Sequence, residues 1–168
     1  MFVPDDLVLG EVGRGWNVAM ATAGSERGLS LRSPARYSRA ADRLVALYAE
    51  RLAADPSRTA RSGDAVAQAW MDAEAYRLNT LWTATRVLDG GTVGPEASAN
   101  KIHWSQTDLA IHRAALDLLG PEAEWHGDGV DAPWLDGYLF ALAGPIYAGT
   151  NEIQRNVVAE RMLGLPRG

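Results

Sequence analysis

Proline and glycine recur in this chain at intervals that leave helix-length pieces between them, and that spacing limits the fold more than any other feature. Ser33-Pro34, Asp55-Pro56-Ser57, Gly90-Gly91, Gly94-Pro95, Gly120-Pro121 and Gly144-Pro145 punctuate a sequence otherwise rich in Ala, Leu and Arg. Those three residues favour helix, β-branched runs are scarce, and both Pro and Gly interrupt helices. The chain is therefore predicted to be all-α. Helices are expected over about 16–31, 34–54, 64–88 and 96–119, then a short one over 134–143 and a last one over 151–163. Leu44, Leu47, Tyr48 and Leu52 follow the 3.6-residue period in the second; Val66, Trp70, Ala73, Arg77, Leu78 and Leu81 do so in the third. Short connections between long helices predict an up-down four-helix bundle with one or two extra C-terminal helices. Trp16, Trp70 and Trp104 fall on apolar faces and are expected in the core. Met1–Leu9 reads as a short extended lead-in turning at Pro4-Asp5-Asp6, residues 122–133 as a surface loop, and Asn151 as the cap of the last helix, answered by Gln154.

Length and composition bound the function. The 168 residues suit one domain with its own core, and 47% hydrophobic against 22% charged residues exclude a disordered chain. The absence of Cys removes disulfides, thiolate metal sites and cysteine nucleophiles. His103, His112 and His126 form no metal-ligand pattern, and His103 and His112 lie on different helix faces. A net charge of −5 argues against an electrostatic nucleic-acid surface. No apolar run reaches the length of a membrane span and no basic-then-apolar signal opens the chain, so a cytoplasmic protein is expected.

Two places invite chemistry. In Gly24-Ser25-Glu26-Arg27-Gly28 a carboxylate sits among small residues that let a ligand approach the backbone; burial would raise its pKa toward that of a general base. The same residues also read as a solvated Glu beside an Arg. In Tyr147-Ala148-Gly149-Thr150-Asn151-Glu152, small residues precede a helix, either as an anion-friendly nest of free N–H groups or as an ordinary capped start.

These stretches, taken together, resemble the C-terminal domain of the acyl-CoA dehydrogenases. Phe2-Val3-Pro4-Asp5-Asp6 with Gly10-Glu11-Val12 and Gly15-Trp16 resembles the end of that family's β-domain entering its C-terminal helices, so residues 1–12 are expected to be β-domain end or linker and 13–168 the helical domain. Glu26-Arg27 matches the Glu-Arg of the first helix. The run from Ala148 to Arg155, with Glu160-Arg161 and Leu163-Gly164-Leu165-Pro166, resembles the C-terminal signature; a weaker match runs through Ala99, Lys101 and the helix to Gly120. The resemblance implies a flavoprotein that desaturates acyl-CoA thioesters, with FAD between the β-domain and the bundle and an electron-transfer flavoprotein as acceptor. It also implies a homo-oligomer or a hetero-oligomer. By the same resemblance Glu26 is the base. Arg27, Tyr147 and Gly149 lie at the substrate, and Thr150, Asn151 and Glu152 lie at the cofactor. Because full members carry an N-terminal helical domain and a middle β-domain, the chain is expected to be part of a longer protein and inactive alone.

The chain departs from the family pattern in three places. Many members carry the base immediately before the Gly-Thr pair, where this chain has Ala148; the isovaleryl-like and long-chain-like branches place it on the first helix, matching Glu26. Arg51-Leu52-Ala53-Ala54 lacks the Phe-Gly and the following Gln that hold the flavin of an adjoining subunit, and Gly120-Pro121 replaces a Gly-Gly. Some actinobacterial members, including paired-subunit enzymes with one competent site per pair, are similar here. The alternative is a non-catalytic helical assembly module of a dehydrogenase-like complex.

Overall fold

The computed structural model describes residues 4–26, 33–124 and 132–167, with the side chains of 23–26, 58, 60, 124 and 132 left aside. Its helices are α1 (Gly15–Glu26), α2 (Pro34–Ala54), the single turn α3 (Pro56–Thr59), α4 (Gly63–Leu88), α5 (Glu96–Leu119), α6 (Ala132–Ala141) and α7 (Asn151–Arg161). Short 3₁₀ turns lie at Asp5–Leu7, Ala60–Ser62 and Gly120–Glu124, and no strand occurs among the described residues. The end expected for the first helix, near Leu31, lies outside the described residues; the other predicted boundaries hold to within two residues because the punctuation acts locally. Pro34 opens α2 from the first helical position. Gly90 closes α4 at φ 88°, with Gly91 N–H reaching the Arg86 carbonyl at 2.8 Å, and Gly120 closes α5 at φ 62°. The turn expected at Pro4-Asp5-Asp6 is present as the first 3₁₀ turn.

Side-chain pairs fix the register of the bundle. Tyr37 meets Tyr76 edge-on, and Trp70 Nε1–H donates to Asp42 at 3.2 Å, so α2 and α4 run antiparallel. Asn79 donates to Asn100 at 3.0 Å and Arg86 pairs with Glu96 at 2.9 Å, which sets α4 antiparallel to α5. Arg36 to Asp108 and Arg51 to Glu122, both 2.8 Å, hold α2 parallel to α5. α6 and α7 pack on α5, which is the central helix. The core gathers Tyr37, Leu44 and Leu47 of α2, Val66, Ala69, Ala73 and Tyr76 of α4, and Trp104, Ile111, Ala115 and Leu118 of α5.

Two tryptophans leave their expected places. Trp104 is buried as predicted, but Trp16 is 73% exposed and Trp70 43% exposed. Beside Val66 and Tyr76, the inner face of α4 is built from small or hydrogen-bonded residues: Ala69, Ala73, Thr80 and Thr83. The Thr80 and Thr83 hydroxyls donate to the carbonyls of Tyr76 and Asn79. Small residues let helices approach closely, so Met71, Leu78, Leu81 and Trp82 are left on the outside. Trp70 sits at the edge of the α2–α4 seam, where its indole N–H finds Asp42.

Candidate functional site at the start of the last helix

The segment between α6 and α7 folds back on itself. Asn151 N–H donates to the Pro145 carbonyl at 2.9 Å, and within that loop Ala148 and Gly149 both take left-handed backbone, φ 54° and 84°. The left-handed region penalises a Cβ, so Ala148 is held there by its surroundings. Gly149 is required twice over, because a Cβ on it would stand 2.5 Å from Gln154 Nε2. Gln154, fully buried, donates through that amide to the carbonyls of Ala148 at 3.1 Å and Gly149 at 3.4 Å. Tyr147 stacks on Trp104 with ring centroids 5.8 Å apart.

The helix start itself differs from the sequence expectation. Thr150, not Asn151, caps α7: its Oγ1 accepts the Ile153 N–H at 3.3 Å. Glu152 is exposed, and its own backbone amide, followed by the Thr150 hydroxyl, holds its carboxyl below the ordinary range. The N–H groups of Asn151 and Ile153 are therefore engaged internally, by Pro145 and by Thr150. That makes a capped start rather than an open anion nest. Asn151 turns inward. Its Oδ1 accepts from Lys101 Nζ at 2.8 Å, and its Nδ2 donates to Ser105 Oγ at 3.1 Å, whose own proton goes to the Ile102 carbonyl at 2.9 Å. Gln154, expected to answer an Asn151 cap, instead braces the turn from below.

Tyr147, Gly149, Thr150, Asn151 and Glu152 are thus brought into one turn, with Gly149 and Glu152 exposed and Asn151 buried. Glu26 is the last residue of α1; its side chain, and all of Arg27, lie outside the described residues. The sequence reading missed the support beneath the turn: Lys101, Ser105 and Gln154. The signal available was that Lys101 is the single lysine among the 16 basic residues. Among the described residues no cluster of His, Asp and Glu can hold a metal, and no helix is long and apolar enough to cross a membrane.

An all-helical domain whose last helix opens on a rigid, glycine-dependent turn is the class defined by these features. Residues 13–163 match the family described as acyl-CoA dehydrogenase, C-terminal domain, and the chain belongs to that family. It is 39% identical over 165 residues to acyl-CoA dehydrogenase IpdE1 of Mycobacterium tuberculosis, covering 96% of this chain and 41% of that protein. With IpdE1 of Mycolicibacterium smegmatis it shares 38% over 162 residues, 96% of this chain and 39% of the relative. The chain therefore spans about two fifths of the curated relatives it matches. A solved variant of the Tcur3481-Tcur3483 steroid ACAD has the same fold, with TM-score 0.71 and 23% identity over 99% of this chain and 44% of that one.

Proposed function

We propose that these helices are the C-terminal domain of a cytoplasmic, flavin-dependent acyl-CoA dehydrogenase in which Glu26 removes the proton α to the thioester. The observation that carries the reading is the chemistry of the 147–152 turn within a chain of this family. Ala148 brings only a methyl group to the position where many members carry the base. The one carboxylate of the turn, Glu152, is held ionised at low pH by its own amide and by Thr150, which makes it a poor base near neutrality. The turn supplies no competent base, and the Glu26 of the matching first-helix motif remains.

The residues present fit one wall of a flavin cleft. Exposed Ile146 and Ile153 flank the turn as an apolar edge, and Thr150 and Glu152 give its polar rim. Because the Asn151 and Ile153 N–H groups are already engaged and the Glu152 carboxylate stands at the helix start, the wall suits the ring and ribityl edge of FAD rather than its phosphates. When bound, FAD accepts the hydride that leaves the β-carbon of the acyl chain. The part of this chain is to take the α-proton on the Glu26 carboxylate, to border the thioester with Arg27, Tyr147 and the Gly149 backbone, and to exclude water. An electron-transfer flavoprotein or similar acceptor then reoxidises the enzyme, which works as an oligomer.

A second reading, a non-catalytic assembly module, is favoured by Arg51. The Phe-Gly and Gln that the family places after this arginine on the flavin of an adjoining subunit are absent, and Arg51 Nη1 is instead held by Glu122 at 2.8 Å. Glu26→Gln in the chain rejoined to the N-terminal portion of its protein decides between them. Gln keeps size and hydrogen bonding but cannot take the proton, and loss of a general base lowers rates by about 10²–10⁴-fold. Acyl-CoA-dependent bleaching of the flavin is expected to fall by that factor, with the flavin spectrum before substrate unchanged. Bleaching at the parental rate would overturn the assignment of Glu26, and a parent protein that is itself colourless would favour the assembly module.

A further inference from the structure

Lys101 is the one basic residue of the chain that is not arginine, and it is 1% exposed. A buried ammonium loses hydration, and burial does push the Lys101 pKa down, with Glu152 opposing more weakly. Its position compounds the penalty. Nζ lies 2.8 Å from the side chain of the first residue of α7, at the helix end whose macrodipole repels cations. A group placed this badly for stability alone calls for another reason.

What the ammonium touches supplies that reason. It donates to Asn151 Oδ1, whose amide N–H in turn donates to Ser105 Oγ, and it lies 5.7 Å from the centre of the Trp104 ring, on which Tyr147 stacks. One side chain therefore reaches both ends of the turn, Tyr147 through Trp104 and Asn151 directly. A compact ammonium with rotatable donors suits a closed site of this kind, whereas a guanidinium is larger, planar and fixed in its fork.

We infer that Lys101 is a positioning residue: acting through Asn151 and Trp104, it fixes where α7 begins and so where Tyr147, Gly149 and Thr150 stand. This deepens the reading given above, since those residues border the proposed substrate and cofactor. The linkage is directional. The asparagine must offer an acceptor to the lysine, so replacing it with another acceptor preserves the lock, and replacing it with a methyl group does not.

Amide hydrogen exchange of the 168-residue chain by NMR tests this, with Lys101→Met, Asn151→Ala and Asn151→Asp. In Lys101→Met and Asn151→Ala, the amides of Asn151, Ile153 and Gln154 are expected to exchange about tenfold faster, with those of Ile111, Ala115 and Leu118 unchanged. Asn151→Asp, which keeps the acceptor for Lys101, charged now, and gives up only the amide N–H to Ser105, is expected to stay within about twofold of the parent, and adding Lys101→Met to it to abolish that protection. Unchanged protection in Lys101→Met, or an equal rise across the core amides, would overturn the inference by showing a bystander or a merely global stabiliser. Should Lys101→Met fail to fold, the asparagine pair decides alone: equal exchange in Asn151→Ala and Asn151→Asp refutes the lock. No flavin enters the measurement, so its outcome is independent of whether Glu26→Gln loses turnover.

Discussion

Gly137→Ala sets two effects of known size against each other. Gly137 lies inside α6, and helix propensity alone favours alanine over glycine there by about 1 kcal/mol. Packing opposes it. A Cβ at Gly137 would stand 2.2 Å from Nε2 and 2.4 Å from Cδ2 of His112 on α5, so the imidazole must move by roughly 1 Å to restore van der Waals contact. That ring is pinned: Nδ1–H donates to the Asp108 carbonyl at 2.8 Å, and its face lies edge-on to Trp134 at 5.8 Å. Overpacking of this kind costs about 1–3 kcal/mol, and losing the buried hydrogen bond costs about 1–3 more if the ring swings out. Packing therefore wins, and the net expectation is a loss of about 1–2 kcal/mol, a fall in Tm of roughly 2–8 °C for a chain of this size. Urea and thermal unfolding followed by far-UV circular dichroism measure it. His112→Ala in the same background completes a double-mutant cycle, which should show a coupling of at least about 1 kcal/mol, because the two residues compete for the same space. A rise in Tm for Gly137→Ala, or a coupling near zero, would refute the close α5–α6 packing.

Gly149→Ala should destabilise the chain by about 2–4 kcal/mol, since it meets both a left-handed backbone and the Gln154 amide, whereas Ala148→Gly should gain up to about 1 kcal/mol by relieving strain without a clash; urea midpoints give both signs. Burial lowers the Lys101 pKa in the folded chain, so between that value and about 10.4 the unfolded chain binds more protons and unfolding free energy rises with pH. Lys101→Met should lack this rise, as comparison of urea midpoints between neutral and alkaline pH will show. The chain should also self-associate through the apolar residues left outside on α4, among them Met71, Leu78, Leu81 and Trp82; a monodisperse monomer by light scattering at high concentration would contradict this.

The helices were legible because their limits are set by residues acting alone. Proline and glycine exert their effect through backbone geometry, so Pro34, Gly90 and Gly120 end or open helices where the sequence says they must. The inner face of α4 is legible only in part: Val66 and Ala73 of the periodic set are buried, whereas Trp70, Leu78 and Leu81 lie outside because Ala69, Tyr76, Thr80 and Thr83 complete the interior. The same limit governs the site. Gly149 and Thr150 announce a turn, since glycine before a hydroxyl residue and a helix is a local pattern. Asn151 was misread as the cap because an asparagine at a helix start looks the same whether it faces the backbone or the interior. Its true partner, Lys101, lies 50 residues away, and no local pattern encodes that distance.

The buried polar residues of α5 give that distance its meaning. Apolar packing tolerates sliding, because one methyl group replaces another with little loss, but a buried hydrogen bond has a direction and a length. Along α5, Asn100 reaches Asn79 on α4, Asp108 reaches Arg36 on α2, and Lys101 and Ser105 reach Asn151 on α7. His112, anchored on the Asp108 carbonyl, faces Gly137 on α6. Sliding α2, α4 or α7 by one helical turn, about 5.4 Å, would strand at least one of these groups at about 1–3 kcal/mol each, and sliding α6 would drive a Cβ into the His112 ring. The central helix therefore fixes the register of four others independently of the apolar core. The 147–152 turn inherits its position from that register, since Asn151 cannot shift along α5 without leaving the Lys101 ammonium buried and unpaired.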